Sequence, residues 1–243
     1  MVLPQVETMS YLIDAPHFLS SNLSNAEFGN ASTGVVSFNK KGFTVTDDSN
    51  GGANVNGASG GLYTDGEYVA WLWSAGSHEG NLPTINTQGD VNSTVSVNDA
   101  AGFSIVKFQA PSTEQNFTIG HGLSAKPDMV ILKSIDTGST NWYVWHKDLS
   151  QESYYLYLNS NLGEGGLTQD TRIWGQQSFT SSVISTRSNY TVQNGDSLIA
   201  YCWYSVTGYS KLGSYVGTGG SISAIDVGFP PRFVMIKSTG STS

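Results

Sequence analysis

The chain has 243 residues, enough to bury one large core or two modest ones, with only 12% charged side chains and a net charge of -8. Lys and Arg total 11 and never cluster beyond Lys40-Lys41, which excludes the basic patches that carry nucleic-acid or anionic-membrane binding. One cysteine, Cys202, excludes an internal disulfide, and no Cys/His spacing matches a metal site.

From the N-terminus, Met1 to Glu7 lacks the basic and apolar regions of a signal peptide, and no apolar run approaches the roughly 20 residues of a membrane span. Apolar residues then alternate or come in short runs: Val35–Phe38, Phe43–Val45, Phe103–Phe108, Met129–Leu132, Trp142–Trp145 and Tyr154–Leu158. Bounded by Gly, Asn, Asp and Pro turns, these predict β-strands, six to eight per unit, and no long helix. Short antiparallel strands with one apolar face bury it most economically against a second sheet, so the expected fold is all-β and built of sandwich units.

Those units repeat. Phe18-Leu-Ser-Ser-Asn-Leu23 returns as Tyr157-Leu-Asn-Ser-Asn-Leu162, and Tyr68-Val-Ala-Trp-Leu-Trp73 as Leu198-Ile-Ala-Tyr-Cys-Trp203. Gly102-Phe-Ser returns as Gly208-Tyr-Ser, and the stretch Gly122 to Lys133 as Gly228 to Lys237. Residues 101–204 therefore hold one complete antiparallel unit. A second is split, with its closing half in residues 1–73, its opening half in residues 208–243, and residues 74–100 as a linker carrying at most a short strand at Thr94–Val97. The two halves are expected to pair, within one chain or between successive chains, while a segment cut from a longer array accounts for the same layout.

Candidate chemistry is sparse. His121 and His146 read as turn and strand-end residues, with no nucleophile elbow nearby. Asp47-Asp48 with Asn50 offers hard oxygen ligands in the turn-rich stretch 46–61 but no full calcium loop, so no metal is expected. Glu114, Glu152, Glu164 and Asp170 are scattered, and no carboxylate pair of a glycosidase can be assembled from them. Five Asn-X-Ser/Thr sequons, at Asn22, Asn30, Asn92, Asn116 and Asn189, follow from composition. Cys202, within an apolar strand, reads as a small buried hydrophobe.

The aromatic residues carry the remaining signal. Trp142 and Trp145 fall on opposite faces of one strand by period-two geometry, so one is expected in the core and the other against a subunit, a further sheet or a glycan; both are candidate ligand-binding residues. Trp71 and Trp73 share a face and read as core anchors, as does Trp203, the counterpart of Trp73. Trp174 has no counterpart.

The strand Tyr68–Trp73 followed by Ser-Ala-Gly, the opening Ala101–Val106, the Gly120-His-Gly-Leu123 element with Pro127 and the strand to Lys133, and the junction Gly208–Tyr215 together resemble the repeat domains of tail-fibre-like virion structural proteins of marine bacteriophages. The resemblance spans most of residues 18–237. It implies a non-enzymatic virion protein of the tail fibre, surface fibre or decoration type, without cofactor, made in the host cytoplasm without a signal peptide and displayed on the particle. The implied partners are other copies of itself, as a trimer or head-to-tail fibre, other virion proteins and a host cell-surface glycan, with no nucleic acid and no membrane insertion. A carbohydrate-binding module and, behind it, a fibre-borne glycan hydrolase are the alternatives.

Overall fold

The computed structural model describes residues 2–4, 17–29, 35–39, 42–45, 70–76, 83–165, 173–188, 194–220 and 224–240. In chain order the strands are β1 (Val2–Pro4), β2 (His17–Ser20), β3 (Phe28–Gly29), β4 (Val35–Asn39), β5 (Gly42–Val45), β6 (Thr84–Asn86), β7 (Ser93–Asn98), β8 (Phe103–Gln109), β9 (Gln115–Gly120), β10 (Met129–Ser134), β11 (Tyr143–His146), β12 (Leu156–Tyr157), β13 (Val183–Ser188) and β14 (Ser197–Trp203). A single 3-10 turn, Asp99–Ala101, is the one helical element among the described residues. Every strand ladder is antiparallel, and the protein is an all-β, sandwich-like fold, as its periodicity predicts.

The main sheet has seven strands in the order β12-β11-β10-β14-β8-β7-β6. Its centre is β14, whose run Leu198-Ile-Ala-Tyr-Cys202 is buried throughout. Near-continuous burial requires cover on both faces, and the side chains divide by alternation. Leu198, Ala200 and Cys202 join Val106, Phe108, Val130, Leu132, Tyr143 and Trp145 on the first face. Ile199 and Tyr201 join Phe103, Ile131, Trp142 and Val144 on the second.

Different parts of the chain cover the two faces. A two-stranded sheet, β9 with β13, lies over the first and contributes Phe117, Ile119 and Ile184, helped by Ile173, Trp174 and Phe179. Phe108 and Phe117 meet edge-on with ring centroids 6.0 Å apart. The second face receives Leu19 of β2 and Ala75, both far away in sequence. Trp142 ties this cover down, since its indole N–H donates to the carbonyls of Ser20 and Leu23, each at 3.1 Å.

Residues 74–100, expected as a linker, supply β6 and β7 to the main sheet, with Val95 opposite Val106 and Val97 opposite Ser104. Pairing along β8 gives these Ser/Thr-rich strands their order, and Val95 its burial. The glycines of the repeated motifs share a special backbone: Gly102 and Gly208 have φ of 64° and 75°, and Gly122 and Gly228 have 74° and 83°. This left-handed region favours glycine, and a Cβ on Gly122 would also fall 2.6 Å from Val97 Cγ2.

Leu19 lies outside the unit whose second face it fills, so its truncation tests that long-range cover. Leu19→Ala is expected to lower the unfolding free energy by about 2–5 kcal/mol in chemical denaturation. A loss below about 0.5 kcal/mol would place Leu19 outside the core.

Candidate functional site

The residues singled out by sequence fall mostly into structural roles. Trp142 and Trp145 do occupy opposite faces of the β11 segment, yet both rings are buried. Of the covers expected for the outward ring, a subunit, a further sheet or a glycan, the further sheet is the one found: the second face is closed by Leu19 of β2 and its neighbours, and the Trp145 indole donates to the Glu152 carbonyl at 3.0 Å. Neither ring presents a surface on which a sugar could stack. The expected anchors Trp71 and Trp73 are exposed instead, packed against Phe233 with ring centroids 5.6 and 6.2 Å away. Alternation placed them on one face but could not say whether anything covers that face.

His121 follows β9 and is fully buried. Its Nδ1 accepts from the Leu123 amide at 3.2 Å and its Nε2 lies 3.2 Å from the Thr180 carbonyl, so the neutral tautomer protonated on Nε2 satisfies both bonds. Burial pushes its pKa down to about 4, outweighing the Thr180 bond and the Asp99 charge. It serves as a buried pin between the Gly120-His-Gly-Leu123 turn and the loop before β13. Cys202 is buried in β14, and burial drives its thiol up to about 12, too high for a reactive thiolate. His146 ends β11, as its sequence context predicts.

Glu152 lines a small cleft of about 220 Å³ beside Trp174, Gln176 and Gln177. It pairs with Lys126 at 3.0 Å and accepts from Ser178 Oγ at 2.9 Å. Burial raises its pKa, but these two bonds outweigh it and hold the carboxyl below its ordinary value, the wrong direction for a general acid. No second carboxylate lines the cleft among the described residues. Glu114 is engaged by Arg187 at 2.7 Å, while Asp47, Asp48, Asn50 and Asp170 lie outside the described residues. No group of three or more metal-ligating side chains occurs among the described residues.

Two features that sequence reasoning did not single out are more suggestive. The first is an open groove of about 590 Å³ where the repeated loops face each other: Ser21 and Asn22 on one side, Asn159, Ser160 and Asn161 on the other, with Lys237 at its edge. The Lys237 ammonium donates to the carbonyls of Ser160 and Leu162. The second is a set of exposed apolar side chains, Leu72, Val234 and Ile236, at 67, 65 and 66%. Their repeat counterparts Cys202, Val130 and Leu132 are buried beneath the β9–β13 sheet. The repeat alignment was the available signal for both, because it marks which exposed positions match core positions elsewhere.

The His121 arrangement has a pH signature. Its folded pKa lies below the unfolded value of 6.5, so the unfolded chain binds the proton first and stability falls as pH drops from about 6.5 to 4. Across this window protonation costs the folded state about 3 kcal/mol relative to neutral pH. Denaturation midpoints measured across this window are expected to shift less in His121→Gln than in the native chain; equal slopes would contradict the buried neutral imidazole.

No curated protein and no solved structure matches the chain. A family model covers residues 11–243, and the chain belongs to that family, described as a domain of unknown function (DUF7483).

Proposed function

We propose that the chain is a non-enzymatic structural module of a bacteriophage virion, of the fibre or decoration type, that assembles with further copies of itself and is displayed where it meets the host surface. The observation that carries the assembly part is the exposure of Leu72, Val234 and Ile236. Exposed large apolar side chains on soluble proteins can mark interaction sites, and these three repeat positions that the same chain buries under a second sheet. An apolar surface with few charges fits an identical surface on a second copy, the self-complementary contact of a two-fold oligomer. The virion context rests on the sequence resemblance, and the weakly charged, hydroxyl- and amide-rich composition is compatible with an extracellular particle. Among the described residues, no paired carboxylates, activated nucleophile or metal cluster argues for catalysis instead.

A glycan-binding role is the second reading, favoured by the groove between Asn22, Asn159 and Asn161. Carboxamides and hydroxyls there offer both donors and acceptors to sugar hydroxyls.

Light scattering coupled to size exclusion tests assembly. The native chain is expected to form a defined oligomer that Val234→Asp with Ile236→Asp converts to a folded monomer; a native chain monomeric at all concentrations overturns self-assembly. Mass spectrometry of purified phage particles is expected to find the protein among the particle proteins, and its confinement to the cell fraction overturns the virion reading. Calorimetric titration with host surface glycans separates the second reading: tight binding by a monomer, lost in Asn22→Ala with Asn161→Ala, favours it over the first.

A further inference from the structure

Four pairs of sequence segments correspond, and parts of their backbone geometry recur, although the described residues 70–73 and 233–237 carry no strand where their counterparts lie in β14 and β10. The left-handed glycines match, Gly102 with Gly208 and Gly122 with Gly228. The β1–β2 ladder places Pro4 opposite Phe18 as the β11–β12 ladder places Tyr143 opposite Tyr157, at equal separations along the chain.

The contacts between segments are reciprocal. The Glu27 amide, four residues beyond the first Ser-Asn-Leu loop, donates to the Ile135 carbonyl at 3.0 Å; the Glu164 amide, two residues beyond the second, donates to the Thr239 carbonyl at 2.8 Å. Ile135 and Thr239 hold equivalent places, each two residues beyond an equivalent lysine. Lys133 Nζ lies 3.5 Å from the Ser24 carbonyl of the first loop, beside firmer bonds to the Ser134 carbonyl and Thr140 Oγ1. Lys237 Nζ donates to the Ser160 and Leu162 carbonyls of the second loop. Equivalent residues also meet each other: Trp73 stands edge-on to Trp203 with ring centroids 6.5 Å apart, and Asn22 and Asn161 line one groove. A contact between i and j that recurs between the equivalents of j and i, with like meeting like, is the signature of a two-fold axis.

Phe233 says which segments form the second unit. In the complete unit its counterpart Met129 is the cross-strand partner of Trp203. Phe233 packs 6.2 Å from Trp73, the counterpart of Trp203, and 5.6 Å from Trp71, the counterpart of Tyr201.

We propose that the N- and C-terminal segments complement each other within one chain to form a second unit, related to residues 101–204 by an internal pseudo-two-fold axis, and that the two units exchange their Ser-Asn-Leu loops. The loop at 18–24 caps the complete unit through Lys133, Trp142 and Ile135. The loop at 157–162 caps the split unit through Lys237 and Thr239. The axis passes between Trp73 and Trp203 and through the amide-lined groove, which is therefore built from the same loop twice. The partner surface of each half is thus supplied by the chain itself. This inference does not rest on the virion reading.

Thiol cross-linking tests it in the full-length chain. In a Cys202→Ala background, Glu164→Cys with Thr239→Cys, treated with a short bis-maleimide at low protein concentration, is expected to give a cross-linked monomer whose mass rises by one reagent. Trp73→Cys with Phe233→Cys probes the second contact independently, and single-cysteine variants report thiol accessibility. Covalent dimers as the main product would move the complementation between chains and overturn the proposal. Accessible thiols that fail to bridge in both pairs would overturn it as well.

Discussion

Strand β14 is the constraint on which the rest of the molecule depends. It is the middle strand of seven, paired on one side with β10 and on the other with β8, and five successive residues along it are buried. A strand buried on both faces cannot be stabilised by one apposed sheet. The chain therefore has to find two covers. The near one is the β9–β13 sheet from within the same hundred residues; the far one comes from the N-terminal segment through Leu19 and Ala75.

That far cover turns repetition into interlocking. Once loop 18–24 is committed to Trp142 and Ile135, the same loop motif at 157–162 is held by Lys237 and Thr239. Such reciprocity has an energetic logic, because each exchanged loop satisfies buried donors of the other unit. The Trp142 indole is the clearest case. Its side chain is fully buried, and its N–H donates to two carbonyls of loop 18–24, those of Ser20 and Leu23.

The strands with strong period-two patterns were legible in the sequence: β8, β10, β11 and β14 fall where Phe103–Phe108, Met129–Leu132, Trp142–Trp145 and Leu198–Trp203 put them. β7 was legible only as a short strand at Thr94–Val97 and β6 not at all, and their place in the main sheet was not, because Ser93-Thr-Val-Ser-Val-Asn98 is mostly hydroxyl and amide and its order derives from pairing with β8. The faces of the tryptophans were also legible, but their cover was not. Alternation assigns Trp142 and Trp145 to opposite sides and Trp71 and Trp73 to one side; whether a distant segment lies over that side is a long-range fact with no local signature. So the first pair is buried twice over, and the second is exposed. The groove of Asn22, Asn159 and Asn161 escaped for the same reason, since its walls are 137 residues apart in the sequence at Asn22 and Asn159.

The central claim is that each loop docks on the opposite unit within one chain, and amide hydrogen exchange on the monomer at low concentration tests it most directly. The Glu27 and Glu164 amides, which donate to Ile135 and Thr239, are expected to be protected together; removal of residues 231–243 is expected to expose Glu27, whose own acceptor remains, and removal of residues 1–29 to expose Glu164, whose own acceptor remains. A Glu164 amide that exchanges at the unfolded rate in the intact monomer, while Glu27 is protected, would contradict the account.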